Sequence, residues 1–294
     1  MELLKREMPT SYTLIDTADW HCGSINFYEE GVRALIKKVQ RKKDHFMVLK
    51  GDLLEGISPH DKRYNLRSVD PRFKTAQDQA EFIAELLKPI SDKIVGICIG
   101  NHELKIINIF DAIGHICRAI KLDTSPEIYG AGIFKFIAMN KGKVMHKMLF
   151  CHGRKMLPTG AKDPIQRLAN QMAAQKRNLE ELGHADCIYA SQGHHHRLLV
   201  VNPTVENQLY LTDNGSKIKA KYRVNTAQNT EYIPPEARYF AGTGSYRKQL
   251  TDPGSGAIDY AELLQTGPAE LGHVEIIVQD KAVVNAIEVR SGDI

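Results

Sequence analysis

The alternation of apolar and amphipathic segments constrains the fold of this chain more than any other feature of its sequence. In the first half, short apolar segments at 12–15 and 46–49 predict strands, and an amphipathic segment at 26–40 predicts a helix between them. The same alternation predicts further helices at 75–87 and 103–120, and further strands at 93–99, 148–151 and 187–190. This order of elements is typical of a layered α/β fold.

The best-marked helix follows residue 163. Asp163 is a suitable N-cap, Pro164 fits the first helical position, Gln166 can complete a capping box, and Gly183 can end the helix. The predicted apolar face consists of Ile165, Leu168, Met172, Leu179 and Leu182. From residue 198 onward the pattern becomes typical of hairpins, at 198–201, 208–211, 273–278 and 283–289.

Composition excludes several classes of protein. With 43% hydrophobic and 25% charged residues, the chain is neither disordered, nor collagen-like, nor a coiled-coil rod. We expect a single domain over 1–294, with a basic insertion near 213–240 and a C-terminal hairpin near 273–290. The net charge of +4 permits a polyanionic partner without requiring one.

Cysteine usage and apolar segment lengths bear on the cellular location. The five cysteines are odd in number, far apart and without a Cys-x-x-Cys motif, which suits reduced thiols. The sequence has no apolar segment of about 18 residues, and its N-terminus lacks the apolar region of a signal peptide. We therefore expect a cytoplasmic protein with no membrane partner.

Polar residues of one chemical kind follow five of the predicted strands. The segments are Asp19-Trp20-His21, Gly51-Asp52, Gly100-Asn101-His102-Glu103, His152-Gly153 and Gly193-His194-His195-His196. Because the carboxyl ends of strands in a layered sheet meet at one crevice, these residues are expected to lie together. Taken singly, each segment is more often an ordinary turn or a packed histidine. Chance is a poor explanation for all five segments occurring together in this order.

Carboxylates, imidazoles and a carboxamide are ligands that divalent cations of intermediate hardness prefer. One shared carboxylate can hold two such cations about 3.5–4 Å apart, where they bind a phosphate and generate hydroxide near neutral pH. The wide spacing of the ligand segments excludes a zinc finger, which needs close ligand pairs. We predict two divalent metal ions, with Mn²⁺ favoured by this ligand set and iron or zinc compatible with it.

These segments resemble the motifs of the calcineurin-like metallophosphoesterase superfamily: Asp-x-His, Gly-Asp, Gly-Asn-His-Asp/Glu, His and Gly-His-x-His. The resemblance spans Asp19 to His196 and includes every motif in order. It implies an α/β, four-layer fold, in which a β-sandwich of mixed sheets is flanked by helices. It also implies one metal site formed by Asp19, His21, Asp52 and His196, and a second formed by Asp52, Asn101, His152 and His194. Asp52 would bridge the two metals, and His195 falls at a variable position.

The same resemblance implies two catalytic residues. The histidine of Gly-Asn-His, here His102, would protonate or stabilise the leaving oxygen rather than bind metal. An acid three residues after the bridging aspartate usually orients it, and that position is Glu55. Glutamate is one methylene longer than the usual aspartate, so the geometry of this pair is left open.

Departures from the superfamily's protein phosphatases bear on the substrate. Those enzymes carry arginines in Gly-Asp-x-x-Asp-Arg-Gly and shortly after Gly-Asn-His-Glu, whereas this chain has Gly51-Asp-Leu-Leu-Glu-Gly56 and Gly100-Asn-His-Glu-Leu-Lys105. The order of motifs is most similar to the nuclease side of the superfamily, including compact bacteriophage-type members. Arg154 is expected either to face the phosphate or to lie on solvated surface.

Three basic segments suggest a long anionic substrate. Six basic residues against one acid occupy 154–177. Five more lie within 60–74: Lys62, Arg63, Arg67, Arg72 and Lys74. Lys217, Lys219, Lys221 and Arg223 alternate with Ile218, Ala220 and Tyr222, so a strand there would have one basic face able to follow a nucleic-acid backbone. Lysines on an exposed edge strand are equally a normal protection against aggregation.

These observations favour a dinuclear-metal phosphodiesterase acting on DNA. The alternative within enzymes is a small nucleotide or cyclic-nucleotide phosphodiesterase or phosphatase. A non-catalytic scaffold with the same fold is the third possibility, and it predicts lost metal ligands, whereas every ligand position is retained.

Overall fold

A computed structural model describes residues 1–57, 64–122, 132–204, 208–222, 227–252, 254–259, 262 and 269–291. The helices are α1 (Glu29–Arg41), α2 (Ala76–Leu87), α3 (Asn101–Ile106), α4 (Ala112–Ala119) and α5 (Pro164–Glu180). The strands of the first half are β1 (Glu2–Glu7), β2 (Tyr12–Thr17), β3 (His45–Leu49), β4 (Ile94–Ile97), β5 (Ile133–Asn140) and β6 (Lys143–Cys151). Those of the second half are β7 (Tyr189–Gln192), β8 (Leu198–Val201), β9 (Leu209–Asp213), β10 (Ile218–Tyr222), β11 (Tyr239–Thr243), β12 (Gly272–Gln279) and β13 (Ala282–Arg290).

Two mixed sheets form the centre of the molecule. The first sheet has the order β1-β5-β6-β7-β11-β8, and the second has the order β13-β12-β2-β3-β4. Within them, β6, β7 and β11 run parallel to one another, as do β2, β3 and β4. Strands β9 and β10 form a separate antiparallel hairpin.

Apolar layers between the sheets and helices hold these elements together. The largest packs the second sheet against α1, α2 and α4 through residues such as Val32, Ile83 and Ile116. Another lies between the two sheets and includes Leu14, Val48, Phe136 and Phe150. A smaller one packs α5 on the first sheet through Leu179 and Phe240. The predicted fold, a β-sandwich of mixed sheets flanked by helices, is confirmed.

The apolar face predicted for α5 is wrong over its first turns. Ile165 is 81% exposed and Leu168 is 50% exposed, and of the five predicted residues only Leu179 belongs to the buried core. The buried positions are Gln171, Ala174, Gln175 and Leu179. Glutamine is tolerated there because Gln175 Nε2 donates a hydrogen bond to the Ala241 carbonyl, which satisfies its polar group on the sheet. Asp163 caps the helix as predicted, by accepting from Ile165 N.

Two further differences concern helix boundaries and the membrane. The segment predicted as one helix at 103–120 forms α3 and α4 instead, and Asp111 caps the second by accepting from Gly114 N. Among the described residues, none of the helices has the length and hydrophobicity needed to cross a bilayer. All five cysteines are buried free thiols.

Candidate metal centre

Five loops at the carboxyl ends of parallel strands bring the predicted ligands together. Asp19 and His21 follow β2, Asp52 follows β3, and Asn101 follows β4 in the second sheet. His152 follows β6 and His194 and His196 follow β7 in the first sheet. The loops after β2 and β3 pair through their backbones, since Asp19 N donates to the Gly51 carbonyl and His21 N to the Asp52 carbonyl. The seven side chains therefore meet at one edge of the sandwich.

Backbone conformation is unusual at these positions. Among the described residues, nine non-glycine residues have positive φ, and five of them are predicted ligands: Asp19, His21, Asp52, His194 and His196. Such conformations cost about 1–3 kcal/mol each and persist where the surrounding structure imposes them. Their concentration in one place indicates that the fold stabilises a fixed arrangement of these side chains.

Glycines allow the loops to approach closely. A Cβ on Gly100 would lie 2.2 Å from the amide nitrogen and from Oδ1 of Asp52. A Cβ on Gly193 would lie 2.7 Å from Oδ2 of Asp19. Any larger residue at either position would displace a predicted ligand.

Each aspartate uses one oxygen to bind the backbone. Asp19 Oδ2 accepts from His194 N at 2.9 Å, and Asp52 Oδ1 accepts from His102 N at 2.8 Å. The other oxygens, Asp19 Oδ1 and Asp52 Oδ2, face histidine nitrogens. Asp19 Oδ1 is buried and has no hydrogen-bond partner among the described residues, which suits an oxygen that binds a cation.

The candidate ligand atoms form adjacent groups, and the atoms of each group lie within 4.8 Å of one another. One group contains Asp19, His21 and His196, and another contains Asp52, His152 and His194. In the first, the Nε2 atoms of His21 and His196 lie 3.2 Å apart, and His196 Nε2 lies 3.5 Å from Asp19 Oδ1. These sets fit two divalent cations with carboxylate and imidazole ligands.

Asn101 joins the second group. Its Oδ1 lies 2.9 Å from His152 Nε2 and 2.7 Å from His194 Nδ1, while His152 Nε2 lies 3.3 Å from Asp52 Oδ2. A third grouping of His21, Asp52 and His102 connects the two sets, with His102 Nε2 3.9 Å from Asp52 Oδ2. Asp52 thus lies between the two candidate sites, where a bridging ligand is needed.

Charges within the centre set its protonation. Burial opposes protonation of His152, but the adjacent Asp52 carboxylate raises the pKa of His152 to about 9. Burial lowers the pKa of His21 to about 4, and this keeps the ring neutral as a metal ligand requires. His152 Nδ1 donates to the Lys50 carbonyl at 2.8 Å. Nε2 is therefore the nitrogen that can lose its proton and bind a cation.

The predicted Glu55–His102 side-chain pair takes a different form. The Glu55 carboxylate lies 2.9 Å from His21 Nδ1, and His102 Nδ1 contacts the Glu55 backbone carbonyl at 2.5 Å. The longer glutamate side chain reaches past His102 to the metal-ligand ring. Glu55 therefore orients His21 through its carboxylate and His102 through its backbone.

The pocket above these residues, here called the metal pocket, has a volume of about 200 Å³. His102 and Arg247 line it together with predicted ligands. Arg247 Nη2 donates to both oxygens of buried Asp259 at 2.8 Å, and Arg247 Nε lies 4.0 Å from Glu55 Oε2. Arg154 is exposed, which favours the expectation that it lies on solvated surface over the expectation that it faces the phosphate. His195 is buried and its Nε2 lies 3.1 Å from Gln175 Oε1.

Sequence reasoning missed three supporting residues. Arg247 gave no signal, because its position depends on tertiary contacts with Asp259 and Ser24. The Glu103 carboxylate accepts from the backbone amides of Asp52, Leu53, Leu54 and Gly100, and so fixes the loop of the central aspartate. Lys50 is fully buried and its Nζ lies 3.1 Å from Asp16 Oδ1. The available signal was a charged residue within one apolar segment, Asp16, and another directly after the next, Lys50.

The lysines that the sequence suggests for contact with nucleic acid lie on the surface. Lys217, Lys219 and Lys221 are exposed on the β9–β10 hairpin, here called the basic hairpin. Lys219 and Lys221 pair with Thr212 and Tyr210 of β9, so they share one face of the hairpin. Lys62, Arg63 and Arg223 lie outside the described residues.

Comparison with solved structures gives 77 similar chains, among them the following two. The NAD nucleotidase NadN of Haemophilus influenzae is similar over 95% of this chain and 49% of its own, with a TM-score of 0.35 and 12% identity. The calcineurin-like phosphoesterase YfkN of Bacillus subtilis is similar over 62% of this chain and 61% of its own, with a TM-score of 0.27 and 11% identity. This chain spans about half the length of the first. No protein-family model and no curated protein matches the sequence.

Proposed function

We propose that this chain is a dinuclear-metal phosphodiesterase and that its substrate is DNA. The observation that carries the proposal is the meeting of seven ligand-type side chains from five strand ends in two adjacent groups, with Asp52 between them. These seven residues are the ones whose sequence motifs resemble those of calcineurin-like metallophosphoesterases. When bound, two divalent cations would supply Lewis acidity toward the phosphate and a nucleophile at neutral pH.

The residues of the chain itself then complete the reaction. His102 lines the metal pocket and its Nδ1–H donates to the Glu55 carbonyl, so the ring would have to be an imidazolium, with a second proton on Nε2, to give a proton to the leaving oxygen. Arg247 adds a fixed positive charge at the wall of the pocket, where a phosphodiester anion gains from it. Glu55 holds His21 in the orientation that metal binding needs.

The test is hydrolysis of end-labelled single- and double-stranded DNA with added Mn²⁺, beside bis(p-nitrophenyl) phosphate and p-nitrophenyl phosphate. We expect Mn²⁺-dependent cleavage of DNA and of the diester, and loss of both in Asp52→Asn with folding intact. Asp252→Asn, the same change at an exposed residue, is the matched control. Cleavage of the monoester alone, or equal activity in Asp52→Asn, would contradict the proposal.

DNA as the substrate is supported by the basic hairpin. Both strands of this hairpin are largely exposed, so its lysines are free to contact a phosphate backbone. We expect binding of a DNA oligonucleotide, measured by fluorescence anisotropy, to weaken as salt rises. Changing Lys217, Lys219 and Lys221 to Glu should abolish it without lowering hydrolysis of bis(p-nitrophenyl) phosphate. Unchanged DNA binding in this variant would assign the lysines to protection against aggregation instead.

A small nucleotide or cyclic-nucleotide diester is the second candidate substrate. It is favoured by the small volume of the metal pocket, about 200 Å³, and by the apolar cavity beside it. Salt-insensitive hydrolysis of small diesters, with DNA left intact, would select this candidate.

A further inference from the structure

An apolar cavity of about 470 Å³ adjoins the metal pocket. Ile57 lines both spaces, so they share a wall. The cavity is lined by the aromatic side chains of Tyr64, Phe73 and Phe110 and by aliphatic ones such as Ile106. Its volume falls in the range of about 300–1,000 Å³ that is typical of small-molecule sites. None of the seven predicted metal ligands lines this cavity.

The cavity lies on the His102 side of the metal pocket. Helix α3 carries His102 at its second position and Ile106, which lines the cavity, one turn later. Gly56 also lines the cavity, and a Cβ placed on it would lie 3.4 Å from the His102 carbonyl oxygen. A group that leaves with the oxygen protonated by His102 would therefore enter this cavity.

The walls of the cavity expose apolar side chains to solvent. Leu66 is 77% exposed and Ile109 is 85% exposed, although both line the cavity. Contiguous apolar side chains exposed around a concave site are one mark of a ligand-binding groove. Aromatic rings at the wall suit a planar apolar ligand, because base–aromatic stacking is favourable for every nucleobase.

We propose that this cavity binds the nucleobase on the leaving side of the scissile phosphodiester. The inference rests on the proposed phosphodiesterase function and specifies its substrate: a nucleotide unit whose base lies between Phe110 and the α2 side of the cavity. A base held in the cavity places the leaving oxygen next to His102. The enzyme then prefers esters of nucleosides over esters of equal charge that lack a base.

The test compares two competitive inhibitors that differ only by the base, 2-deoxyribose 5-phosphate and deoxyadenosine 5′-monophosphate, against Mn²⁺-dependent hydrolysis of bis(p-nitrophenyl) phosphate. We expect the nucleotide to inhibit the enzyme about tenfold or more strongly, as stacking of one base allows. Ala76→Trp should fill the cavity from the first residue of α2 and remove this difference, while inhibition by 2-deoxyribose 5-phosphate stays unchanged. Ala173→Trp, on the exposed face of α5, is the matched control.

A second variant covers the case in which Ala76→Trp does not fold. Phe110→Ala removes one aromatic wall and should reduce the advantage of the nucleotide several-fold. Equal inhibition by the two compounds in the unmodified protein, or an undiminished nucleotide preference in a folded Ala76→Trp, would overturn the inference. Absence of ester hydrolysis would instead overturn the proposed function, and calorimetric binding of the same two compounds to Mn²⁺-treated protein would still test the cavity.

Discussion

The two aspartates of the candidate centre divide their oxygens between the backbone and the site of the cation. Because a backbone amide holds Asp19 Oδ2 and another holds Asp52 Oδ1, the remaining oxygens have fixed directions before any metal binds. The rings of His21 and His152 are fixed in the same way, through Glu55 and the Lys50 carbonyl. This preorganisation means that residues contacting the ligands should affect metal affinity as the ligands do.

Glu55 and His102 provide a direct test at this scale. We expect Glu55→Gln to weaken Mn²⁺ binding about 10- to 100-fold, because the charge that orients His21 is removed while the shape is kept. His102→Gln should leave Mn²⁺ affinity within about twofold and lower hydrolysis by about 100-fold or more, as loss of a general acid does. Isothermal titration with Mn²⁺ and steady-state hydrolysis measure the two effects. Equal loss of metal affinity in both variants would contradict the separate roles.

Among the elements, a buried ion pair of the second sheet is hydrogen-bonded to the first sheet beneath the metal centre. Lys50 follows β3, and its Nζ lies 3.1 Å from Asp16 Oδ1 of β2 and donates to Ser191 Oγ of β7 at 2.9 Å. Tyr189 and Ser191 of β7 both donate hydrogen bonds to Asp16 Oδ2. Both charged side chains are fully buried, so each depends on the other for compensation.

We therefore expect Lys50→Met to lower the free energy of unfolding by about 3–5 kcal/mol, since it leaves the Asp16 carboxylate buried without its cation. The double variant Asp16→Asn with Lys50→Met removes the charge as well and should recover part of this loss. Urea denaturation of the metal-free protein measures both. A loss below about 1 kcal/mol in Lys50→Met would show that the pair is not needed to join the sheets.

The burial of each strand explains which strands could be predicted from sequence. Strands β2, β3 and β6 were predictable because continuous apolar segments are buried on both faces, and their carboxyl ends pointed to the ligand segments. Strand β1 was not, because it lies at the edge of the first sheet and only Leu4 of its six residues is buried. The sequence could not predict which histidine the Glu55 carboxylate contacts. The His21 and His102 rings meet edge to face with centroids 4.7 Å apart, and the length of the Glu55 side chain decides which ring it reaches. Arg247 lies in the site only because a distant segment packs there.

At the scale of the whole molecule, His146 ties together three parts of the sandwich. From β6 of the first sheet, its Nε2 accepts from the Tyr12 hydroxyl of β2 in the second sheet at 2.8 Å. Its Nδ1 donates to the carbonyl of Lys281, between β12 and β13, at 2.9 Å. The Tyr12 bond requires a neutral ring, and burial lowers the pKa of His146 to about 4.

This pKa makes the association of the sheets sensitive to mild acid. The unfolded chain takes up the proton near pH 6.5 and the folded protein only near pH 4, so the contribution of His146 is complete above pH 6.5 and is lost as the pH falls between these values. Each pH unit in this window costs about 1.4 kcal/mol, so we expect about 2 kcal/mol of loss from this residue between pH 7 and pH 5. The measurement is urea denaturation of the chelator-treated unmodified chain and of His146→Gln at both pH values. The difference between the two proteins separates the contribution of His146 from that of the other buried histidines. The variant should start less stable at pH 7 and lose about 2 kcal/mol less on acidification; an equal loss in both proteins would mean that the ring is not what holds the two sheets against acid.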